Sequence, residues 1–224
     1  QDRVSTDVMY FGFSDTAIEF FEFADGSVWT LEQMRAYASV SAATEGADVI
    51  GGSAGDDVIA ALGGNDEIYP NEGDDWIDAG AGDDYVESSR GNDVMFGGDD
   101  SDFFEDWMGA SAVYAGAGTD YGYLDGRAGF VAAGTGSDEF DVYAPHSVVA
   151  FNAGDGHDYV RTAQPDSLFL GSGFVPQALT LSLGGGVDAE NLALAVAGVD
   201  IVLEIGATDS ITLWNHLMPE PEFR

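Results

Sequence analysis

The chain has 224 residues, of which 45% are hydrophobic and 12% aromatic, so it contains enough apolar material for the core of a folded domain. Its 41 acidic and 6 basic side chains give a formal net charge of -35, which makes nucleic acid and anionic membranes poor partners because both would add negative charge. It has no cysteine, hence no disulfide or thiolate ligand, and no apolar run long enough to insert into a membrane as a helix. The charge favours a cationic partner or a metal ion bound through oxygen.

The N-terminal segment, residues 1–43, is predicted to form a cap of strands and one short helix. "VMYFGF" (8–13) has the composition of a strand, and "AIEFFEFADGSVWT" (17–30) alternates like two strands around a turn at Asp25 and Gly26. Thr30 and Gln33 form a capping box, and "LEQMRAYA" (31–38) carries apolar residues at helical spacing. We therefore expect a strand, a hairpin and a helix here.

Residues 44–141 contain a nine-residue repeat. In steps of nine from Asp48, aspartate occupies nine of eleven positions, glycine stands two residues earlier at nine of eleven, and an apolar residue follows two residues later at ten of eleven. Glycine allows turns with positive φ, and the apolar side chain points inward from a short strand. The three residue types keep the same spacing from repeat to repeat. This pattern predicts a solenoid in which each nine-residue repeat forms half of a turn.

The repeat resembles the RTX family of calcium-binding nonapeptide repeats, whose pattern is Gly-Gly-x-Gly-x-Asp-x-apolar-x. Its clearest copies are "GSAGDDVIA" (52–60), "AGAGDDYVE" (79–87) and "GGDDSDFFE" (97–105). The resemblance implies an all-β fold, a parallel β-roll with two half-turns per coil, in which aspartate carboxylates and main-chain carbonyls of successive coils hold calcium. Oxygen ligands of this kind suit calcium rather than zinc or copper.

Two flanking segments resemble the haemolysin-type calcium-binding-related module that accompanies RTX repeats. "FEFADGSVWT" (21–30) resembles its end, and "GVDIVLEIGATDSITLWNHL" (198–217) resembles its first half. A chain that begins with one half and ends with the other is expected to be a segment of a larger parent protein.

Alternate aspartates of the roll fall on opposite edges, which divides the predicted ligands into two ladders. One ladder is unbroken, whereas the other loses its aspartates at Ser111 and Gly129, so we expect about five calcium ions on the first edge and about two on the second, about seven in all. Arg127 stands on the second edge at a position where most repeats have glycine. Because its positive charge would repel a metal ion, we expect no ion there. The predicted metal-binding residues are Asp48, Asp66, Asp84, Asp102, Asp120 and Asp138 on the first edge, Asp57, Asp75 and Asp93 on the second, and the turn glycines Gly55, Gly64, Gly73, Gly82, Gly91, Gly118 and Gly136.

Residues 142–224 are predicted to close the roll. "FNAGDGHDYV" (151–160) resembles the closing repeat of RTX blocks, with Asp155 and Asp158 as candidate last ligands. Because Asp158 lies twenty residues after Asp138, we expect an ion there to have altered geometry or to be absent. Within 166–214, "LTLSL", "LALAV", "DIVLEI" and "DSITLW" alternate with turn residues and predict antiparallel strands that cover the open end of the solenoid.

The sequence offers no catalytic motif. His146, His157 and His216 are far apart with no HExxH pattern, and neither a Gly-x-Ser-x-Gly elbow nor a phosphate-binding loop is present. Paired carboxylates could in principle act on a sugar, but calcium ligands must stay ionised and explain the regular spacing better. We therefore expect a protein without enzymatic activity.

The function expected from these features is that of a calcium-binding block that folds outside the cell, as a structural part of an exported bacterial toxin, adhesin or enzyme. The resemblance implies type I secretion and an extracellular location. One alternative is an adhesive or glycan-binding module, with a glycan or protein ligand on the outward aromatic residues Trp76, Tyr85, Phe103, Tyr121 and Phe130. Further alternatives are an accessory module of a polysaccharide-modifying enzyme or protease, and an acidic solenoid that binds no metal.

Overall fold

A computed structural model describes residues 8–14, 17–23, 28–30, 43–126, 129–143, 146–162, 179–184, 186–188, 190, 192–198 and 200–214. All elements within these residues are β-strands, which confirms the predicted all-β fold. The same residues include no helix long and apolar enough to cross a membrane. The helix predicted at 31–38 and Arg127 lie outside the described residues.

The N-terminal strands form a separate three-stranded antiparallel sheet. Its order is β1 (Val8–Ser14), β2 (Ala17–Phe23) and β3 (Val28–Thr30), with β2 in the middle. The strand and the hairpin therefore form where the alternating pattern predicts them.

The repeat region forms a parallel β-solenoid of about six coils, in which each coil contributes one strand to each of two sheets. We call the sheets even and odd after their strand numbers. The even sheet contains β4 (Val49–Gly51), β6 (Glu67–Glu72), β8 (Tyr85–Arg90), β10 (Phe103–Asp106), β12 (Tyr121–Leu124), β14 (Glu139–Val142) and β16 (His157–Arg161). The odd sheet contains β5 (Val58–Ala60), β7 (Trp76–Ala81), β9 (Val94–Asp99), β11 (Ala112–Gly118), β13 (Phe130–Gly136), β15 (Val148–Phe151) and β17 (Thr180–Leu183).

The core is built from stacked side chains of equivalent position. Parallel pairing sets each residue beside its equivalent in the next coil, as Phe103 beside Tyr85, so the apolar column of the sequence becomes two continuous internal rows. These side chains are at most 2% exposed: Ile50, Ile68, Val86, Phe104 and Phe140 in the even sheet, and Ile59, Ile77, Met95, Val113, Val131 and Val149 in the odd sheet.

Parallel pairing continues past residue 141, the predicted end of the roll. β16 pairs with β14, and β17 pairs in parallel with β15 rather than belonging to the antiparallel cap as its sequence suggested. The reason is that Leu181 stands beside Val149 and packs, partly buried, against the apolar core. The division at residues 43 and 141 stays a prediction.

Antiparallel strands cover the C-terminal end of the even sheet, as predicted. β18 (Leu192–Ala197), β19 (Asp200–Ile205) and β20 (Asp209–Trp214) form an antiparallel meander, and β20 also pairs in parallel with β16. Ile211 of β20 is fully buried beside the last coil. The meander therefore covers a strand edge that would otherwise be open to pairing.

Gly122 interrupts the internal row of the even sheet because a neighbouring ring fills its space. A Cβ at this position would lie 2.3 Å from Cε1 of Phe140. We expect Gly122→Val to lower the free energy of unfolding by about 1–3 kcal/mol, measured by denaturant titration of the calcium-loaded chain. Adding Phe140→Leu should recover part of the loss, and equal stability of wild type and Gly122→Val would contradict this packing.

Candidate metal sites

Ladder A is the row of aspartates that directly precede the strands of the even sheet, and it ends at Asp158, the second residue of β16. The main-chain N–H of each aspartate donates a hydrogen bond to Oδ1 of the aspartate one coil further on, with N to O distances of 2.8–3.1 Å. The row runs without interruption through Asp48, Asp66, Asp84, Asp102, Asp120, Asp138 and Asp158. We call each of these hydrogen bonds, from one aspartate to the next, a rung of the ladder. Asp158 therefore accepts the last rung, although it lies twenty residues after Asp138 rather than eighteen.

Ladder B is the corresponding row before the strands of the odd sheet. Asp57 donates to Oδ1 of Asp75, and Asp75 donates to Oδ1 of Asp93, both at 2.8 Å. The next rung ends on a hydroxyl, since the N–H of Asp93 donates to Oγ of Ser111 at 3.2 Å. Serine keeps the rung but has no negative charge, so ladder B offers fewer carboxylates than ladder A, as predicted.

The second oxygen of most ladder carboxylates is buried without a hydrogen-bond partner. Burying an anionic oxygen is costly unless a donor or a cation faces it. Among the described residues, these oxygens are Oδ2 of Asp66, Asp84, Asp102, Asp120 and Asp138 on ladder A and of Asp75 on ladder B. The first rungs differ, because Oδ2 of Asp48 and of Asp57 accepts the N–H of Thr44 (2.6 Å) and of Ser53 (2.5 Å).

Burial raises the pKa of seven ladder carboxyl groups well above the ordinary value of 3.8. Desolvation is the main cause, main-chain N–H donors act against it, and neighbouring carboxylates add to it at most positions. The pKa is about 6 for Asp84, Asp93 and Asp138, about 7 for Asp75 and Asp120, and about 8 for Asp102 and Asp158. At pH 7 the carboxyl groups with a pKa of about 7 or 8 hold a proton about half of the time or more unless another cation binds in its place: Asp75, Asp102, Asp120 and Asp158.

The turn glycines bring the main chains of successive coils into close contact. Gly82 has a φ of +122°, and a Cβ there would lie 2.1 Å from the carbonyl oxygen of Gly64. The other predicted glycines with positive φ are Gly64, Gly73, Gly91, Gly118 and Gly136, whereas Gly55 has open space around it. The turns thus line each edge with stacked carbonyl oxygens beside the buried carboxylates.

The donor set fits a hard cation. Within the described residues no group of three or more His, Asp or Glu side chains could hold a metal alone, so an ion between coils would also need main-chain carbonyl, hydroxyl or water oxygens. Calcium accepts carboxylate and carbonyl oxygens in flexible geometry, which agrees with unpartnered Oδ2 atoms in carbonyl-lined turns.

Two families of known proteins match parts of the chain. Residues 42–77 and 69–104 match the sequence model of the RTX calcium-binding nonapeptide repeat (4 copies). Residues 42–104 are RTX repeats. Residues 8–33 match the haemolysin-type calcium binding protein related domain, and no curated protein matches the chain.

The RTX repeats here belong to a family of structural calcium-binding modules of exported proteins. The roll continues with the same geometry beyond residue 104, where the family match ends, because the ladder A rungs at Asp120 and Asp138 keep their hydrogen bonds. The calcium-binding assignment of the sequence is therefore confirmed at the level of the family.

A second set of rungs on the outside of the turns was missed by the sequence analysis. The residue before five of the ladder aspartates accepts a hydrogen bond from the N–H of its equivalent in the next coil, as Asp56 does from Asp74 (3.0 Å) and Asp74 from Asn92 (2.8 Å). Asn65, Asp83 and Ser101 do the same on the other edge. The recurrence of Asp, Asn or Ser at that position was the available signal.

The turn glycines allow a direct test with a matched control. Gly82→Ala should lower the free energy of unfolding of the calcium-loaded chain by about 1–3 kcal/mol, because a side chain there is strained at positive φ and meets a carbonyl oxygen. Gly55→Ala should be nearly neutral, because no atom lies within 4 Å of the added Cβ. Equal losses in denaturant titrations of the two variants would contradict the stacked-turn geometry.

The pKa shifts also predict a pH dependence. The metal-free fold retains protons that the unfolded chain releases near pH 4, so its stability is highest in acid and falls as pH rises through 6 to 8. We expect more far-UV β signal without metal at pH 5 than at pH 8, and a higher calcium requirement at the lower pH because protons compete. Asp102→Asn should flatten this dependence, whereas a pH-independent metal-free signal would contradict it.

Proposed function

We propose that the chain is a calcium-dependent folding module of a larger exported bacterial protein. The observation that carries the proposal is the row of buried, unpartnered Oδ2 atoms along ladder A. These oxygens oppose folding of the metal-free chain near neutral pH, and a bound divalent cation would supply the charge that they lack. Binding to the folded coils alone adds directly to folding stability.

The net charge supports the same proposal. Seven divalent ions would change the formal charge from -35 to about -21 and so remove a large part of the repulsion within the roll. The described arginines offset only local charge: Arg90 pairs with Glu72, and Arg161 with Glu139 and Asp141. We propose about five ions on ladder A and about two on ladder B, with Asp158 adding one more rung to the first ladder.

The proposed role depends on the difference in calcium concentration across the cell envelope. Inside the cell, where calcium is scarce, the chain would stay expanded and able to pass through a secretion channel. Outside, calcium in the millimolar range suits weak extracellular sites and would fold it on exit. In this proposal residues 1–43 and 142–224 flank and cap the roll of residues 44–141, and the module itself catalyses no reaction.

The test is a calcium titration of the metal-free chain, followed by far-UV circular dichroism, with magnesium as the control ion. We expect a cooperative gain of β signal with calcium and none with magnesium, which prefers rigid octahedral sites. Asp102→Asn should raise the calcium concentration at the folding midpoint, since each lost ion removes about 1.4 kcal/mol for every tenfold excess of calcium over its Kd. Glu204→Gln removes the same charge from an exposed position of β19 and should leave the midpoint unchanged. A chain fully folded in chelator at pH 8 would overturn the proposal.

Glycan or protein binding is a second candidate function, because the even sheet presents exposed aromatic rings. Tyr85 and Phe103 stack at 5.7 Å between ring centroids, and Phe103 and Tyr121 are 38% and 44% exposed. Trp76 on the odd sheet is only 4% exposed, which favours the even sheet as the binding face. Binding of polysaccharide to the calcium-loaded chain that is lost in Tyr121→Ala would support this candidate, and unchanged binding would exclude this face.

A further inference from the structure

Asp106 is a buried carboxylate that the nonapeptide pattern does not explain. It lies at the end of β10, four residues after Asp102, and faces the interior with 1% exposure. The residues paired with this position in the neighbouring strands of the even sheet are uncharged: Ser88 and Leu124 directly beside Asp106, and Val142 beside Leu124. A charged group at one coil of an otherwise uncharged internal row calls for a specific partner.

Asp106 lies close to the position at which ladder B has Ser111 instead of aspartate. Its carboxyl group faces the hydroxyl of Ser111 and the N–H groups of Met108 and Gly109, within the loop that leads to the ladder B position of the same coil. Its Oδ1 is nevertheless buried without a hydrogen-bond partner. Asp106 therefore places a carboxylate next to the rung at which Ser111 replaces aspartate.

Asp93 supplies a second buried carboxylate to the surroundings of Asp106. Asp93, 1% exposed, donates its N–H to Ser111, and its Oδ2 accepts a hydrogen bond from the hydroxyl of Ser88. Ser88 stands directly beside Asp106 in the parallel pair of β8 and β10. We call Ser88, Asp93, Asp106 and Ser111 the Asp106 cluster: two carboxylates and two hydroxyls, all at most 2% exposed.

We propose that the Asp106 cluster binds one further divalent cation of the calcium type, outside the nonapeptide motif, with Asp106 supplying the carboxylate that position 111 lacks. The proposal rests on the proposed calcium function and extends ladder B by one ion. Carboxylate and hydroxyl oxygens are ligands for a hard cation, and the two described arginines that form salt bridges pair with other carboxylates. The competing arrangement is a proton held between the two carboxyl groups, which needs no metal.

The experiment counts calcium bound per chain by equilibrium dialysis at saturating calcium and pH 7.5, using the whole chain. Asp106→Asn should bind one ion fewer than wild type, and Asp125→Asn, which removes the same charge from an exposed neighbour in the next coil, should bind the wild-type number. The double variant Asp106→Asn/Ser111→Asp returns a carboxylate to the ladder position and should regain the ion.

Each outcome separates this site from the general calcium function. An unchanged count in folded Asp106→Asn overturns the extra site and favours a shared proton, whereas a wild type that binds no calcium overturns the proposed function itself. If Asp106→Asn does not fold, the β signal and the calcium count of the double variant Asp106→Asn/Ser111→Asp decide whether the extra site exists. Recovery of both the β signal and the full count supports the site, and a double variant that stays unfolded or one ion short overturns it.

Discussion

The structure depends on burying carboxylates in register, while the salt bridges of the described arginines go to other carboxylates. Each rung joins the N–H of one aspartate to Oδ1 of the next and leaves Oδ2 inside the edge of the roll, as at Asp84 and Asp102. The hydrogen bonds fix the spacing of the coils, while the unpartnered oxygens and their raised pKa values oppose folding. In the proposed function the same residues define the fold and make it conditional on a cation.

The apolar core contains few large side chains per coil. Each coil contributes one main internal side chain per sheet, such as Ile68 and Ile77, with small residues such as Ala79 filling much of the remaining interior. In a repeat protein every coil contacts only its neighbours, so stability builds up along the roll and depends on each interface. Loss of a cation at one gap therefore weakens the coils on both sides of it.

The two edges of the roll differ in what they can hold. Ladder A keeps its carboxylates to Asp158, whereas ladder B continues through Ser111 and Ser147, whose hydroxyls preserve hydrogen bonds at 3.2 and 3.0 Å without adding charge. Serine rungs let the coils keep stacking where fewer cations are needed. The C-terminal strands then close an edge that the ladders alone would leave open.

The sequence by itself determined the nine-residue period, the two-sheet roll, the internal rows and the carboxylates of both ladders, because side-chain period and turn chemistry are local properties of the chain. Only the tertiary structure decided which oxygens are left without donors, that Asp158 keeps the ladder despite its shifted spacing, and that β17 joins the roll in parallel. It also decided that Asp106 meets Ser88 and Asp93, since these contacts join residues of different coils. Such contacts arise because the coils stack on one another. The repeat implies this stacking, but no local sequence pattern specifies the residues that depart from the repeat.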